Sequence, residues 1–139
     1  MKRFNVRVYG LWIINNEVLV SEEWIAGAKI VKLPGGGLEW GEGTIDAVKR
    51  EWKEEMNAEI RVLDHFYTTD YFQKSAWDES QVSRTYYFVE PSQPLALPHY
   101  NGKEHFYFVP ISNLISMLSL PIDIAVANKL HTTFHLSSQ

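Results

Sequence analysis

The chain has 139 residues, of which 45% are hydrophobic and 22% charged, a composition that suits one globular domain with a sizeable core. It contains no cysteine, which excludes a disulfide framework, a thiolate zinc site, an iron–sulfur cluster and a cysteine nucleophile. The 13 basic and 17 acidic residues give a net charge of -4, which disfavours binding to a nucleic acid polymer through a basic surface.

The amino terminus carries charged residues but no apolar run behind them, so it does not have the pattern of a secretion signal. No later stretch is long enough to span a bilayer. We therefore expect a cytoplasmic protein without a membrane partner, in which residues 1–139 form a single domain.

The first part of the chain predicts three strands and a glycine turn. Two apolar runs, Val6 to Ile14 and Glu17 to Trp24, are separated by Asn15-Asn16, and asparagine tolerates the positive φ of a tight hairpin turn. A third strand, Lys29 to Leu33, stops at Pro34 and the triple glycine after it, where we expect the backbone to turn.

The segment from Thr44 to Met56 is predicted to be a helix. Its apolar side chains recur at helical spacing and form one stripe. They are Ile45, Val48, Trp52 and Met56. Thr44 suits the N-cap position, and Asn57 suits the left-handed position that follows the last turn of a helix.

The second half of the chain predicts three more strands and two helical segments. β-Branched and aromatic residues dominate the predicted strands. The strands are Glu59 to Tyr71, Val82 to Glu90 and Lys103 to Val109. A short helical turn is expected over Ile111 to Leu118, and Pro121 suits the first turn of a last helix that reaches about His131.

Negative charge is concentrated on the predicted helix and the loop before it. Residues 39–59 include seven acidic and three basic side chains, so this segment alone accounts for the net charge of -4. On a helix, Glu51, Glu54 and Glu55 fall on one face beside the apolar stripe, and Arg50 can reach Glu54.

A solvated acidic face is the commoner role of clustered glutamates, but two features weaken that interpretation here. The cluster adjoins the stripe that faces the core, and the glycine turn upstream offers backbone carbonyl oxygens. Mg²⁺ takes carboxylate and carbonyl oxygens and shares its coordination with substrate phosphates. An acidic site that binds anionic phosphates needs such a metal.

The segment from Gly36 to Ala58 resembles the Nudix box, G-x5-E-x7-R-E-U-x-E-E-x-G-U, in which U is a bulky aliphatic residue. Six of the glycine, glutamate and arginine positions of the box match. They are Gly36, Glu42, Arg50, Glu51, Glu54 and Glu55. The departures are Trp52 and Ala58 for aliphatic residues and Asn57 for the second glycine, and none of these changes removes a metal-binding oxygen.

This resemblance to the Nudix hydrolases, the MutT-like family, implies an α/β fold: an α/β/α sandwich with a mixed β-sheet. It also implies hydrolysis of a nucleoside diphosphate that is linked to another group. Carried over to this chain, Glu51, Glu54 and Glu55 would ligate Mg²⁺ or Mn²⁺. The carbonyl of Gly35 or Gly36 would be a further ligand.

The same resemblance assigns roles in catalysis to Glu51, Glu54, Arg50 and Glu104. Arg50 and Glu42 would form an ion pair that orients the loop against the helix. The metal would withdraw charge from the diphosphate and acidify a water that attacks phosphorus. The catalytic base varies among subfamilies, and we place Glu51 ahead of Glu104, which lies just before the strand that resembles the family's closing strand.

Three residues that are not among the matched positions of the box are candidates for binding the substrate. Lys32 flanks the glycine turn and could neutralise phosphate, although solvated lysines are common on strands. Trp40 and Tyr71 lie in loops beside the predicted cleft, where an aromatic ring can stack on a base. The partner is expected to be a small nucleoside diphosphate-linked molecule, and many relatives dimerise, so a homodimer stays open.

The identity of the substrate and two other functions also stay open at this stage. The loops at residues 67–81 and 91–102 match no subfamily, so ADP-ribose, sugar nucleotides and coenzyme A derivatives all remain candidates. A Nudix-fold module could bind a nucleotide or sugar nucleotide without turnover, although such modules usually have degenerate boxes and this box keeps every carboxylate. A structural domain with an acidic helix would show no change of stability with millimolar Mg²⁺.

Overall fold

The computed structural model describes residues 3–75, 77–119 and 121–134, and for residues 121–123 it describes the backbone alone. In chain order the elements are β1 (Phe4–Leu11), β2 (Ile13–Ile14), β3 (Glu17–Ile25), β4 (Ala28–Lys32), β5 (Gly35–Gly37), α1 (Thr44–Met56), β6 (Ile60–Thr68), β7 (Gln81–Pro91), β8 (His99–Tyr100), β9 (His105–Pro110), α2 (Ile111–Met117) and α3 (Pro121–Phe134). They fall into two compact units. Unit 1 comprises Met1–Leu11 and Pro34–Leu95, and unit 2 comprises Trp12–Leu33 and Ala96–Gln139.

Unit 1 is built on a mixed sheet with the strand order β5-β1-β7-β6. Strand β1 runs antiparallel to β5 and parallel to β7, and β6 is antiparallel to β7. Helix α1 buries one face, and its buried residues are Ala47, Val48, Trp52 and Met56. This arrangement carries the whole of the Nudix-like segment within one unit.

Unit 2 is built on an antiparallel sheet. Its strand order is β2-β3-β9-β8, with β4 paired to β3. Its buried apolar residues include Val18, Leu19, Phe106, Leu114 and Leu130. Among the described residues, no helix combines the length and the apolar character needed to cross a membrane.

Several local predictions are confirmed. Asn15 and Asn16 have φ of 51° and 61° and connect β2 to β3 as a tight turn. Helix α1 ends at Met56 as predicted, and Asn57 follows it in the left-handed conformation with φ 53°. The short helical turn is α2, and the last helix, α3, extends three residues beyond His131.

The predicted start of α1 needs two corrections. The N-cap is Gly43, and Thr44 is already the first helical residue. The Asp46 carboxylate accepts a hydrogen bond from the Gly43 backbone N–H at 3.0 Å, while the Thr44 hydroxyl lies 2.7 Å from the hydroxyl of Tyr87 instead. Ile45 was predicted to join the buried stripe but is largely exposed, because the buried face begins one turn further on.

The strands differ from the prediction in two places. The first apolar run is interrupted at Trp12, and its two parts, β1 and β2, belong to different units. The triple glycine was predicted to be a turn but forms strand β5, paired with β1. The pairing is close because Gly35 has no side chain: a Cβ atom there would lie 2.1 Å from the carbonyl oxygen of Val8.

Candidate active site

Strand β5 brings glycine backbone directly against a carboxylate of α1. A Cβ atom at Gly36 would lie 2.5 Å from the carboxylate carbon of Glu51, so no larger residue fits without moving that side chain. The Glu51 side chain is only 14% exposed. Glycine at this position of the box therefore allows the carboxylate to lie against the strand.

Arg50 connects the helix, the loop before it and the glycine strand. Its guanidinium binds Glu42 in a bidentate manner, with Nε donating to Oε2 at 2.6 Å and Nη2 donating to Oε1 at 3.0 Å. Nη1 donates to Glu51 Oε1 at 3.0 Å and to Glu54 Oε2 at 3.2 Å. Nη2 also donates to the carbonyl oxygen of Gly37 at 2.9 Å. We call these five residues the Arg50 cluster.

The ion pair between Arg50 and Glu42 that the resemblance implied is therefore present. Hydrogen bonds from Arg50, and then from the backbone N–H of Glu39, hold the pKa of Glu42 below its usual value. The same bonds to Glu42, followed by those to Glu51, raise the pKa of Arg50. Both groups therefore stay charged over the physiological pH range.

The donors of the site suit a hard divalent cation in their chemistry and charge. Glu54 is 57% exposed, whereas Glu55 is half-buried and its Oε2 atom is shielded from solvent. The carboxylates outnumber the single guanidinium that contacts them, and the excess negative charge favours a cation with oxygen ligands. Within the described ranges, no three acidic or histidine side chains converge as a set of metal ligands.

Lys32 and Glu104 both lie in unit 2, and each is next to Ser21 of β3. Glu104 is buried, and its carboxylate accepts a hydrogen bond from the hydroxyl of Ser21. Ser21 is the register partner of Lys32, whose ammonium lies 2.8 Å from a carboxylate oxygen of the buried Glu23. Lys32 is thus an ion-paired lysine rather than a solvated one.

The two aromatic candidates are accessible to a ligand. Trp40 lies in the loop between β5 and α1 and is fully exposed. Tyr71 follows β6 and is 44% exposed. Trp40 lies two residues before Glu42 in the chain, and its exposed ring offers a flat apolar surface.

Sequence reasoning missed a group of residues on β1 and β7. The Nε of Arg7 donates to the hydroxyl of Tyr9 at 2.6 Å. The guanidinium carbon of Arg84 lies 4.9 Å from the centre of the Tyr9 ring. These residues come together through strand register, for which a local sequence pattern gives no signal.

The comparison with protein families decides the assignment that the box suggested. The model of the NUDIX domain matches residues 3–128, nearly the whole chain. The chain belongs to the Nudix family. This confirms the predicted family and enzyme class, a Nudix-type pyrophosphohydrolase. Nudix hydrolases act on small nucleotide substrates and generally use divalent metal ions.

Solved structures agree with the Nudix fold. A NUDIX hydrolase from Nitrosomonas europaea has a TM-score of 0.77 at 20% identity, over 94% of this chain and 90% of that one. The MutT protein of methicillin-resistant Staphylococcus aureus, named a Nudix hydrolase, has a TM-score of 0.69 at 25% identity, with 96% and 99% covered. An ADP-ribose pyrophosphatase from Streptococcus suis has a TM-score of 0.68 at 14% identity, with 97% and 92% covered. No curated protein matches the chain.

The predicted fold class is thereby confirmed as α/β, the Nudix fold with a mixed sheet and, among the described residues, three helices. The family match includes residues of both compact units.

Proposed function

We propose that this Nudix protein hydrolyses a phosphoanhydride bond in a nucleoside diphosphate derivative or a nucleoside triphosphate, and that it uses Mg²⁺. The observation that supports this most is the Arg50 cluster. The Arg50 guanidinium bonds to Glu42, Glu51 and Glu54 and to the Gly37 carbonyl of β5. The charged residues of the box are therefore all present, and these four also contact one another through Arg50. Non-catalytic Nudix modules usually have degenerate boxes, whereas this box keeps every carboxylate.

The metal would be held by Glu51, Glu54 and Glu55, with the carbonyl oxygen of Gly35 or Gly36 as a further ligand. Mg²⁺, or Mn²⁺ in its place, supplies positive charge to the diphosphate and acidifies a water when it is bound. The support for Glu51 and Glu54 is the excess of carboxylates over cations in the cluster, and the support for Glu55 is its position in the box.

Arg50 acts in this proposal as a positioning residue, because its bonds to the loop and to β5 limit where Glu51 can lie. Glu51 is also our first choice for the base that takes a proton from the attacking water. Glu104 is the second choice because its carboxylate is buried and already accepts the Ser21 hydroxyl.

Lys32, Trp40 and Tyr71 are proposed to bind the substrate. The ion pair with Glu23 holds the Lys32 ammonium in one place, where it would meet a phosphate. The exposed rings of Trp40 and Tyr71 would stack on a base or another flat group.

We further propose that the two units make up one Nudix domain of residues 1–139, because the family match runs through both. A nucleotide-directed hydrolase of this kind would meet its substrate in the cytoplasm, without a membrane or a nucleic acid polymer as partner. A homodimer is the proposed assembly, to be checked by light scattering.

The decisive experiment is hydrolysis of a panel of compounds with Mg²⁺ and with EDTA. The panel contains ADP-ribose, nucleoside triphosphates, dinucleoside polyphosphates, sugar nucleotides and coenzyme A derivatives, scored for release of phosphate and nucleoside monophosphate. We expect turnover of at least one compound with Mg²⁺ and none with EDTA. Binding of a nucleotide without any turnover would instead identify a non-catalytic Nudix-fold module.

Matched variants test the proposed ligands in the same assay. Glu54→Gln and Glu55→Gln are expected to lower turnover by about 100-fold or more while the protein stays folded. Glu59→Gln removes the same charge just beyond the helix, from a side chain that is 67% exposed, and is expected to leave turnover unchanged. Unchanged turnover in the first two variants would remove them from the metal site.

A further inference from the structure

Arg7 lies on the face of the unit 1 sheet that is opposite to α1. Side chains alternate along β1, and Gly10 lies against Trp52 of the helix, so Val8 and Gly10 face α1 while Arg7 and Tyr9 face away. Arg7 is the register partner of Gly37 in β5. A Cβ atom at Gly37 would lie 3.7 Å from Arg7 Nη1, so the guanidinium is beside the glycine strand.

The Arg7 guanidinium is held in place but has no acidic partner in the part of the chain that the structure describes. Its Nε donates to the Tyr9 hydroxyl at 2.6 Å, and its carbon lies 5.8 Å from the centre of the Tyr9 ring. No carboxylate of the described residues forms an ion pair with it. Arg3, Arg50 and Arg61 each have such a pair, so Arg7 differs from these three.

A second guanidinium increases the positive charge on this face. Arg84 of β7 is the register partner of Arg7, is buried, and stacks over the same Tyr9 ring. The half-buried Arg7 guanidinium, which forms no ion pair with any described residue, has given up part of its hydration. A bound anion would offset that cost.

The position of Arg7 indicates which anion it would meet. Glu51 lies against Gly36 on the helix side of β5, whereas Arg7 lies beside Gly37 on the other side. A phosphate held at the Glu51 carboxylate would therefore lie across β5 from Arg7. Strand β5 is at the edge of its sheet, so a substrate can pass around it from one face to the other.

We propose that Arg7 is a specificity-determining residue that binds a phosphate of the substrate other than the two phosphates of the scissile diphosphate. The inference rests on the proposed function. The Nη1 and Nη2 groups of Arg7 are left to donate, since Nε is bonded to Tyr9, and a guanidinium presents such donors in parallel to phosphate oxygens. Substrates with one additional phosphate are thus preferred.

The test uses pairs of compounds that differ by one phosphate: coenzyme A and dephospho-coenzyme A, NADPH and NADH, and ATP and ADP. For the wild type we expect kcat/KM to favour the more phosphorylated member of at least one pair by about 10- to 100-fold, mostly through KM. Arg7→Gln should abolish this preference and change little for the other member. Arg61→Gln, which removes a paired charge from β6, should keep it.

Calorimetric titration of the same pairs in EDTA gives a readout that does not depend on turnover. The wild type should bind the more phosphorylated member more tightly, and Arg7→Gln should bind both equally. If no compound is hydrolysed, the proposed function fails but this titration still decides the role of Arg7. Arg7→Lys, which keeps the charge but loses the paired donors, replaces Arg7→Gln if that variant does not fold, and should reduce the preference. A preference that survives in the Arg7 variants, or its absence from the wild type in both measurements, overturns the proposal.

Discussion

Gly10 of β1 lies directly against the indole ring of Trp52, and the two fit because the glycine has no side chain. A Cβ atom at Gly10 would lie 2.6 Å from Trp52 Nε1 and 2.9 Å from Cε2. Trp52 is fully buried and stands where the Nudix box usually has an aliphatic residue. The strand thus makes room for the large Trp52 ring of the helix by having glycine at position 10.

This contact predicts that the two positions depend on each other. Gly10→Ala overpacks the contact and should cost about 1–3 kcal/mol, and Trp52→Leu leaves a cavity and should cost about 2–4 kcal/mol. The double variant should cost less than the two together, because the smaller side chain makes room for the methyl group. Urea unfolding of the three variants measures this coupling.

A control for Gly10→Ala is available in the same sheet. Gly37→Ala places its Cβ at an ordinary contact distance of 3.7 Å, so its free energy of unfolding should change much less. Equal losses in the two alanine variants, or strict additivity in the double variant, would show that the indole contact does not limit position 10.

Gly36→Ala should affect activity far more than stability. The new methyl group would meet only the end of a flexible side chain, the Glu51 carboxylate, which can move aside. Displacing a catalytic group by about 1 Å can cost about 100-fold in rate. We expect a loss of this size in kcat, with the urea midpoint nearly unchanged.

The Gly36 effect can be traced to Glu51 by combining it with Glu51→Gln. If the methyl group acts only by displacing Glu51, the double variant should be no less active than Glu51→Gln alone. A further loss in the double variant would mean that the glycine has another role, such as keeping the carbonyl groups of β5 in place.

Arg50→Gln should reduce both stability and turnover. It leaves Glu42, Glu51 and the Gly37 carbonyl without their common donor, and loss of a residue that orients metal ligands typically costs about 10- to 100-fold in activity. Arg50→Lys should recover little, because a single ammonium cannot reproduce the bidentate bond to Glu42.

The matched control for Arg50→Gln is Arg61→Gln, whose pair with Glu90 is largely exposed. Exposed pairs contribute little, so its urea midpoint should stay near that of the wild type. Similar midpoints for the two glutamine variants would mean that the Arg50 cluster does not stabilise the loop.

Local features of the sequence were sufficient to predict α1 and the ion pair between Arg50 and Glu42. The signals for this helix all lie within one short segment. They are the helical spacing of the apolar residues, Asn57 at the end and the residues of the box, so the sequence alone predicts the helix. The predicted N-cap was wrong by one residue because Gly43 could start the helix with the help of the Asp46 carboxylate. The side chain of Thr44 found a partner in Tyr87, far along the chain.

Features that depend on strand pairing could not be predicted in the same way. The triple glycine is a strand because Gly36 pairs with Val8, and nothing local distinguishes that from a turn. The position of Arg7 could not be predicted for the same reason, since its neighbours Gly37 and Arg84 lie in two other strands.

Glu42 should make the stability of the protein depend on acid pH. Its pKa is lowered from 4.5, first by the Arg50 hydrogen bonds and then by the backbone of Glu39. The unfolded chain lacks these bonds, so their contribution is complete above about pH 4.5 and is lost as the pH falls through the lower folded pKa. The urea midpoint of the wild type should therefore fall more steeply on acidification below pH 4.5 than that of Glu42→Gln. Asp78, whose pKa is also lowered, chiefly by Ser80, accounts for a separate part of the slope, which Asp78→Asn removes. Parallel curves for the wild type and Glu42→Gln would mean that Glu42 titrates alike in the folded and unfolded states.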